Sequence, residues 1–225
     1  MSYYKLKEGF QEMRKLLLVM VSLVFLLSST ACSSNKYTTN ENISFISATQ
    51  LSDREKMFLS VCTNDYFVFD FSVSDKYKWI EVWIDRYEFG KKVTSNGKLL
   101  TGLSESSDGM ILATLREQEN IKYNWTIATK TGGATATGDF NQEYKSTENY
   151  SFAKTWQTIH TKKIIKDDNE ITLASICYKE QKNGTTVSSL TDEFYRSPDE
   201  NIREILNYNL VYLLKVKFYE NNPNN

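Results

Sequence analysis

The chain has 225 residues, and its 27 Lys and Arg nearly balance its 28 Asp and Glu. Neutralising nucleic-acid phosphates takes a clustered cationic excess, so that balance excludes a nucleic-acid partner. One histidine excludes any two-histidine metal site, while the length suffices for one domain with a sizeable core.

Residues 1–12, MSYYKLKEGFQE, stand ahead of a second methionine, Met13, which reads as the true start. From Met13 the chain carries the three parts of an export signal. Arg14 and Lys15 are the charged region, Leu16 to Leu27 the apolar run, and Ser28, Ser29, Thr30 and Ala31 the small-residue cleavage site. Twelve helical residues rise ~18 Å, short of the ~30 Å hydrocarbon core, which favours a cleaved leader over a membrane span. Cys32 follows directly, and the segment 13–33 resembles the lipobox of bacterial lipoproteins, with Ser29 where Leu is commonest. The resemblance implies cleavage before Cys32, lipidation of its thiol and a palmitate-type acyl anchor. The competing reading is an ordinary signal cut near Ala31, with Cys32 a bystander. On either reading residues 1–31 are a signal peptide outside the fold, and their removal leaves the remainder with more acidic than basic groups.

Residues 32–42 then form the lipidated cysteine and a polar tether, SSNKYTTNEN, and 43–225 a single β-rich extracytoplasmic domain. Ser52 and Glu55 have capping-box spacing, which predicts a helix over 52–62 packed on a sheet through Met57, Phe58 and Val61. Period-two alternation begins at Tyr66 and continues in strands 66–73, 79–89, 109–117, 121–130, 134–140, 150–165, 170–180 and 209–219. Asp108-Gly109, Thr131-Gly132-Gly133, Asp167-Asp168-Asn169 and Asn183-Gly184 supply turns, as does Gly90 to Gly97. Pro198 and the residues to Asn207 predict a second short helix. The expected fold is mainly β: an antiparallel β-sandwich, or a barrel-like closure, with one or two short helices.

The 79–89 strand is apolar on both faces. Ile80, Val82 and Ile84 line one; Trp79, Trp83, Tyr87 and Phe89 line the other, beside Glu81 and Asp85. A two-layer sandwich needs one buried face per strand, so the aromatic face is either a binding platform for a glycan or partner or is itself covered. Sequence alone does not set which face is inside, because a one-residue slip exchanges them. Glu81 and Asp85 lie ~13 Å apart along an extended strand, wider than the ~5–9.5 Å of glycosidase pairs. No nucleophile elbow, phosphate loop or calcium loop accompanies His160, the TGGATATG run or the 167–170 acidic cluster. No cofactor is implied. Cys62 and Cys177 either form a disulfide or leave Cys177 a buried free thiol, as its phase with Ile171 and Leu173 suits.

The sequence therefore reads as a lipoprotein anchored in the cell membrane and facing outside the cytoplasm. Its body acts as a binding module for an envelope protein or glycan, with membrane lipid held through Cys32. An envelope glycan hydrolase and an immunity- or inhibitor-type protective lipoprotein are the alternatives.

Overall fold

The computed structural model describes residues 43–93, 97–103, 108–118, 122–144, 151–166, 169–181 and 186–224. Cys32, the leader and the tether lie outside them, as do Asp167, Asp168, Asn183 and Gly184. Twelve strands are present among the described residues: β1 (Phe45–Ala48), β2 (Asp65–Ser72), β3 (Trp79–Glu88), β4 (Lys91–Val93), β5 (Lys98–Gly102), β6 (Asp108–Gln118), β7 (Lys122–Thr131), β8 (Ala134–Glu143), β9 (Phe152–Thr158), β10 (Lys163–Ile164), β11 (Ile171–Glu180) and β12 (Leu210–Tyr219). They form two antiparallel sheets. The first runs β10-β1-β2-β6-β7-β8; the second runs β4-β3-β12-β11-β9, with β5 also paired to β3. The sheets pack face to face as a sandwich and do not close into a barrel.

The alternation read from the sequence becomes the core. Phe67, Phe69 and Phe71 of β2 point inward with Ile111, Ala113 and Leu115 of β6 and Trp125 and Ile127 of β7. They meet Ile80, Val82 and Ile84 of β3 and Tyr212, Leu214, Val216 and Phe218 of β12. Aromatic rings bridge the sheets edge-on: Phe71 to Phe218 at 5.3 Å and Trp125 to Tyr212 at 5.6 Å between centroids. Such pairs add ~0.5–1.5 kcal/mol each beyond the area they bury. At one end of the sandwich Lys154 of β9 closes the gap with ion pairs to Asp65 and Glu117, both at 2.9 Å, while Tyr178 donates to Glu117 at 2.7 Å.

Two sequence expectations are corrected. The helix α1 (Asp53–Cys62) forms with its capping box, Ser52 accepting from the Glu55 amide and Glu55 accepting from the Ser52 amide. It does not pack on a sheet, however: none of its residues is buried, and Met57, Phe58 and Val61 are all more than half exposed. Asp53, Arg54, Glu55 and Lys56 fill its first turn, which leaves too narrow an apolar stripe to dock. The expected strand 150–165 is two strands in different sheets, β9 and β10, because the chain crosses between layers after Thr158. Ile159 is buried at the crossing, and alternation on either side of it reads as one run.

A third layer lies over the outer face of the second sheet. Thr191 caps the short helix α2 (Asp192–Arg196), and a 3-10 turn follows at Ile202–Asn207. Leu190, Phe194, Tyr195, Ile205 and Tyr208 are buried beneath it. The Tyr195 hydroxyl lies 2.6 Å from the Ser175 hydroxyl on β11 and donates to the Gln157 carbonyl on β9 at 3.0 Å. Glu204 ties the layer to itself by accepting from the Thr191 amide and hydroxyl. On the first sheet, Lys130, Thr135, Thr137 and Asp139 of β7 and β8 are exposed.

Candidate functional site

The site foreseen on β3 takes up the outer face of the second sheet. Residues 79, 81, 83, 85 and 87 share that face because Ile80, Val82 and Ile84 fill the inner one. The register pairs them with Tyr219, Lys217, Lys215, Leu213 and Val211 of β12. Trp79 and Glu81 are partly exposed. Trp83 is buried to 4 %, Tyr87 to 8 %, and Asp85 is wholly buried.

What covers this face is largely lysine. Asp85 accepts from the Trp83 indole N–H at 3.2 Å, from Lys92 Nζ at 2.8 Å, and forms an ion pair with Lys215 Nζ at 3.2 Å. Lys215 reaches on to Glu170 at 3.2 Å. Glu81 accepts from Lys98 Nζ at 3.2 Å and from the Tyr219 hydroxyl at 2.8 Å. The Lys98 ammonium lies 5.3 Å from the Trp83 ring centre, so the indole face is occupied from within the chain. Burial pulls the Lys215 pKa down, but Asp85, Glu170 and Tyr87 outweigh it and leave the group above its ordinary value. The Tyr87 phenol is raised, chiefly by burial. Both candidate carboxylates are thus bound to cations of their own chain. The arrangement is that of a charge network closing a sheet face, and the two acids have no free oxygen pair set for glycoside chemistry.

Sequence reasoning found the strand and its aromatic face but not the lysines. Their signal was present: in LVYLLKVKFY, Lys215 and Lys217 share one phase of an otherwise apolar strand. Only the register of β12 on β3 places Lys215 against Asp85, and register is not written in either strand alone.

The rest of the chemistry is sparse. No group of three or more His, Cys, Asp or Glu is placed to hold a metal ion among the described residues. His160 is exposed, its Nδ1 3.0 Å from Asp192. Cys62 and Cys177 are both free; Cys62 is exposed, and burial pushes the Cys177 thiol up to about 12. No described helix is long and apolar enough to cross a membrane. A groove of about 460 Å³ opens at the end of β12, over Tyr77 and Phe218 and beside Glu220 and Asn222.

The family model of the YgaN domain matches residues 45–218. The chain belongs to the YgaN domain family. The YgaN domain thus begins at the first residue of β1 and ends one residue short of the end of β12, spanning both sheets and the covering layer. No curated protein and no solved structure matches the chain.

Proposed function

We propose that this YgaN-domain chain is a lipid-anchored extracytoplasmic lipoprotein whose β-sandwich binds a partner at the membrane surface. The observation that carries the reading is Cys32 directly behind a charged, apolar and small-residue leader. A polar stretch, residues 33–42, separates it from β1, as a domain held off a bilayer needs. Two or three acyl chains hold firmly, since each buried methylene contributes ~0.8 kcal/mol and one chain alone is marginal.

Trp83 and Tyr87 are buried and Glu81 and Asp85 are neutralised, which favours a structural part for most of the β3 face. The binding surface is then sought among the loops and the exposed face of β7 and β8. A glycan hydrolase built on Glu81 and Asp85 gains no support from their partners.

Mass spectrometry of the chain purified from membranes tests the anchor. The expected product starts at Cys32 and carries a thioether-linked diacylglyceryl group; Cys32→Ala loses that mass and the processing with it. An unmodified Cys32 on a chain that has lost its leader refutes the proposal.

A further inference from the structure

Beyond the anchor itself, and resting on that reading, we infer that the edge of the sandwich at β1 and β10 is a lipid-facing surface that lies on the bilayer beside the tether. Phe45 of β1 pairs with Ile164 of β10, and both point outward because Ile46 and Ile165, next to them, are buried. Ile164 is 48 % exposed and Ile43, at the root of the tether, 57 %. Lys162 lies over the Phe45 ring at 3.6 Å and is itself exposed, as is Lys166. Lys163 is turned the other way, donating to the Tyr195 carbonyl at 2.9 Å. Apolar side chains with exposed lysines at their rim match the acyl boundary and the anionic headgroups of a membrane surface. Three acids lie on or beside this face: Asp70 and Asp108 inboard on β2 and β6, the latter ~10 Å from Phe45 across two strand spacings, and exposed Asp75, next to the Ser74 that bonds Ser44.

The length of chain between Cys32 and Ile43 selects a bilayer as the occupant. Ten intervening residues span at most ~35 Å, and a flexible chain of that length averages ~17 Å end to end. An anchored domain therefore meets the bilayer most often through the surface at its own tether root, where the effective concentration of lipid is highest. The geometry also suits an edge. β10 is two residues long, so the edge offers little backbone for pairing with another strand and its side chains dominate contact.

The test uses the full acylated chain, purified from membranes and reconstituted in vesicles of three parts phosphatidylcholine to one part phosphatidylglycerol. In a Cys62→Ser background, Ile164→Cys takes an environment-sensitive fluorophore, while the buried Cys177 stays unlabelled. Thr137→Cys on β8, five strands and ~24 Å away, is the control. The expected result is blue-shifted emission at 164, quenched by nitroxide-bearing lipid at least twofold more than at 137. Lys162→Glu with Lys166→Glu should at least halve that difference. Equal quenching at both sites in a chain whose Cys32 is acylated overturns the lipid-facing edge and leaves the anchor standing. Shielding at 164 that follows protein concentration instead of lipid means a second copy covers the edge, and also overturns it. An unmodified Cys32 in the same sample removes the anchor and the inference together.

Discussion

Replacing Asp85 by alanine tests whether the β3 face is a structural network. The carboxylate is fully buried, and Lys215, its ion-pair partner on β12, is only 12 % exposed. Removing one member of such a pair costs ~3–5 kcal/mol because the other charge is left in a poorly solvated place. The Trp83 N–H loses its acceptor in the same step, a further ~1–3 kcal/mol in isolation. The two terms overlap, and Glu170 still faces Lys215, so about 4 kcal/mol is expected for Asp85→Ala in urea unfolding. Lys92→Ala removes a partner that is half exposed and should cost under ~1 kcal/mol. The pair Asp85→Leu with Lys215→Met replaces both charges by apolar groups and should recover most of the loss. The lysine also sets a pH signature. Its folded pKa is raised, so the folded state holds the proton more tightly than the unfolded one. That contribution is complete below the unfolded lysine value of ~10.4 and is lost as pH rises through the folded value. Parent stability should therefore fall more steeply than that of the double variant above pH ~10. An Asp85→Ala cost under ~1 kcal/mol, or a double variant as unstable as the sum of its singles, refutes the network.

The remaining predictions concern the backbone and the thiols. Phe89, between β3 and β4, has φ of 49° and is 63 % exposed, so Phe89→Asn should stabilise by ~1 kcal/mol and raise Tm by ~2–4 °C in thermal unfolding. A Cβ on Gly109 would stand 2.2 Å from the Phe71 ring and 2.7 Å from the Lys130 carbonyl oxygen, while one on Gly133 meets nothing within 4 Å. Gly109→Ala should thus lose ~1–3 kcal/mol in denaturant melts and Gly133→Ala far less. A maleimide should label Cys62 in minutes and leave Cys177 unreacted until the chain unfolds, as peptide mapping would report. Trp83→Ala should cost ~3–5 kcal/mol, more than Trp79→Ala, by the same urea assay.

The long strands were legible in the sequence because alternation is a local signal: Phe67, Phe69 and Phe71 announce one buried face without reference to any neighbour. The short β1 and β5 carry too few residues for a period and were not foreseen, and β4 lies within the Gly90 to Gly97 stretch read as a turn. The capping box at Ser52 was legible for the same reason. The packing of α1 was not, since an apolar triplet marks a helix face but not the presence of a surface to receive it. The crossing at Ile159 was hidden because a strand that changes sheets keeps its period. Cover for the aromatic side of β3 came from Lys92 and Lys98 just downstream, and from Lys215 and the 186–208 layer, both remote in sequence. Which remote segment arrives is a matter of topology, and no stretch of chain carries that on its own.

The added layer over β11 and β9 gives the molecule a back and a front. Helix and 3-10 turn are spent on the back, where any incoming protein would first have to displace Phe194 and Tyr195 from a dry seat. On the front, outward side chains of β6, β7 and β8 form cross-strand rows: Thr114, Thr126 and Asp139 in one, Arg116, Asn124 and Asn141 in the next. A visitor that docks broadside on that front would read rows of hydroxyl and amide groups edged by single charges.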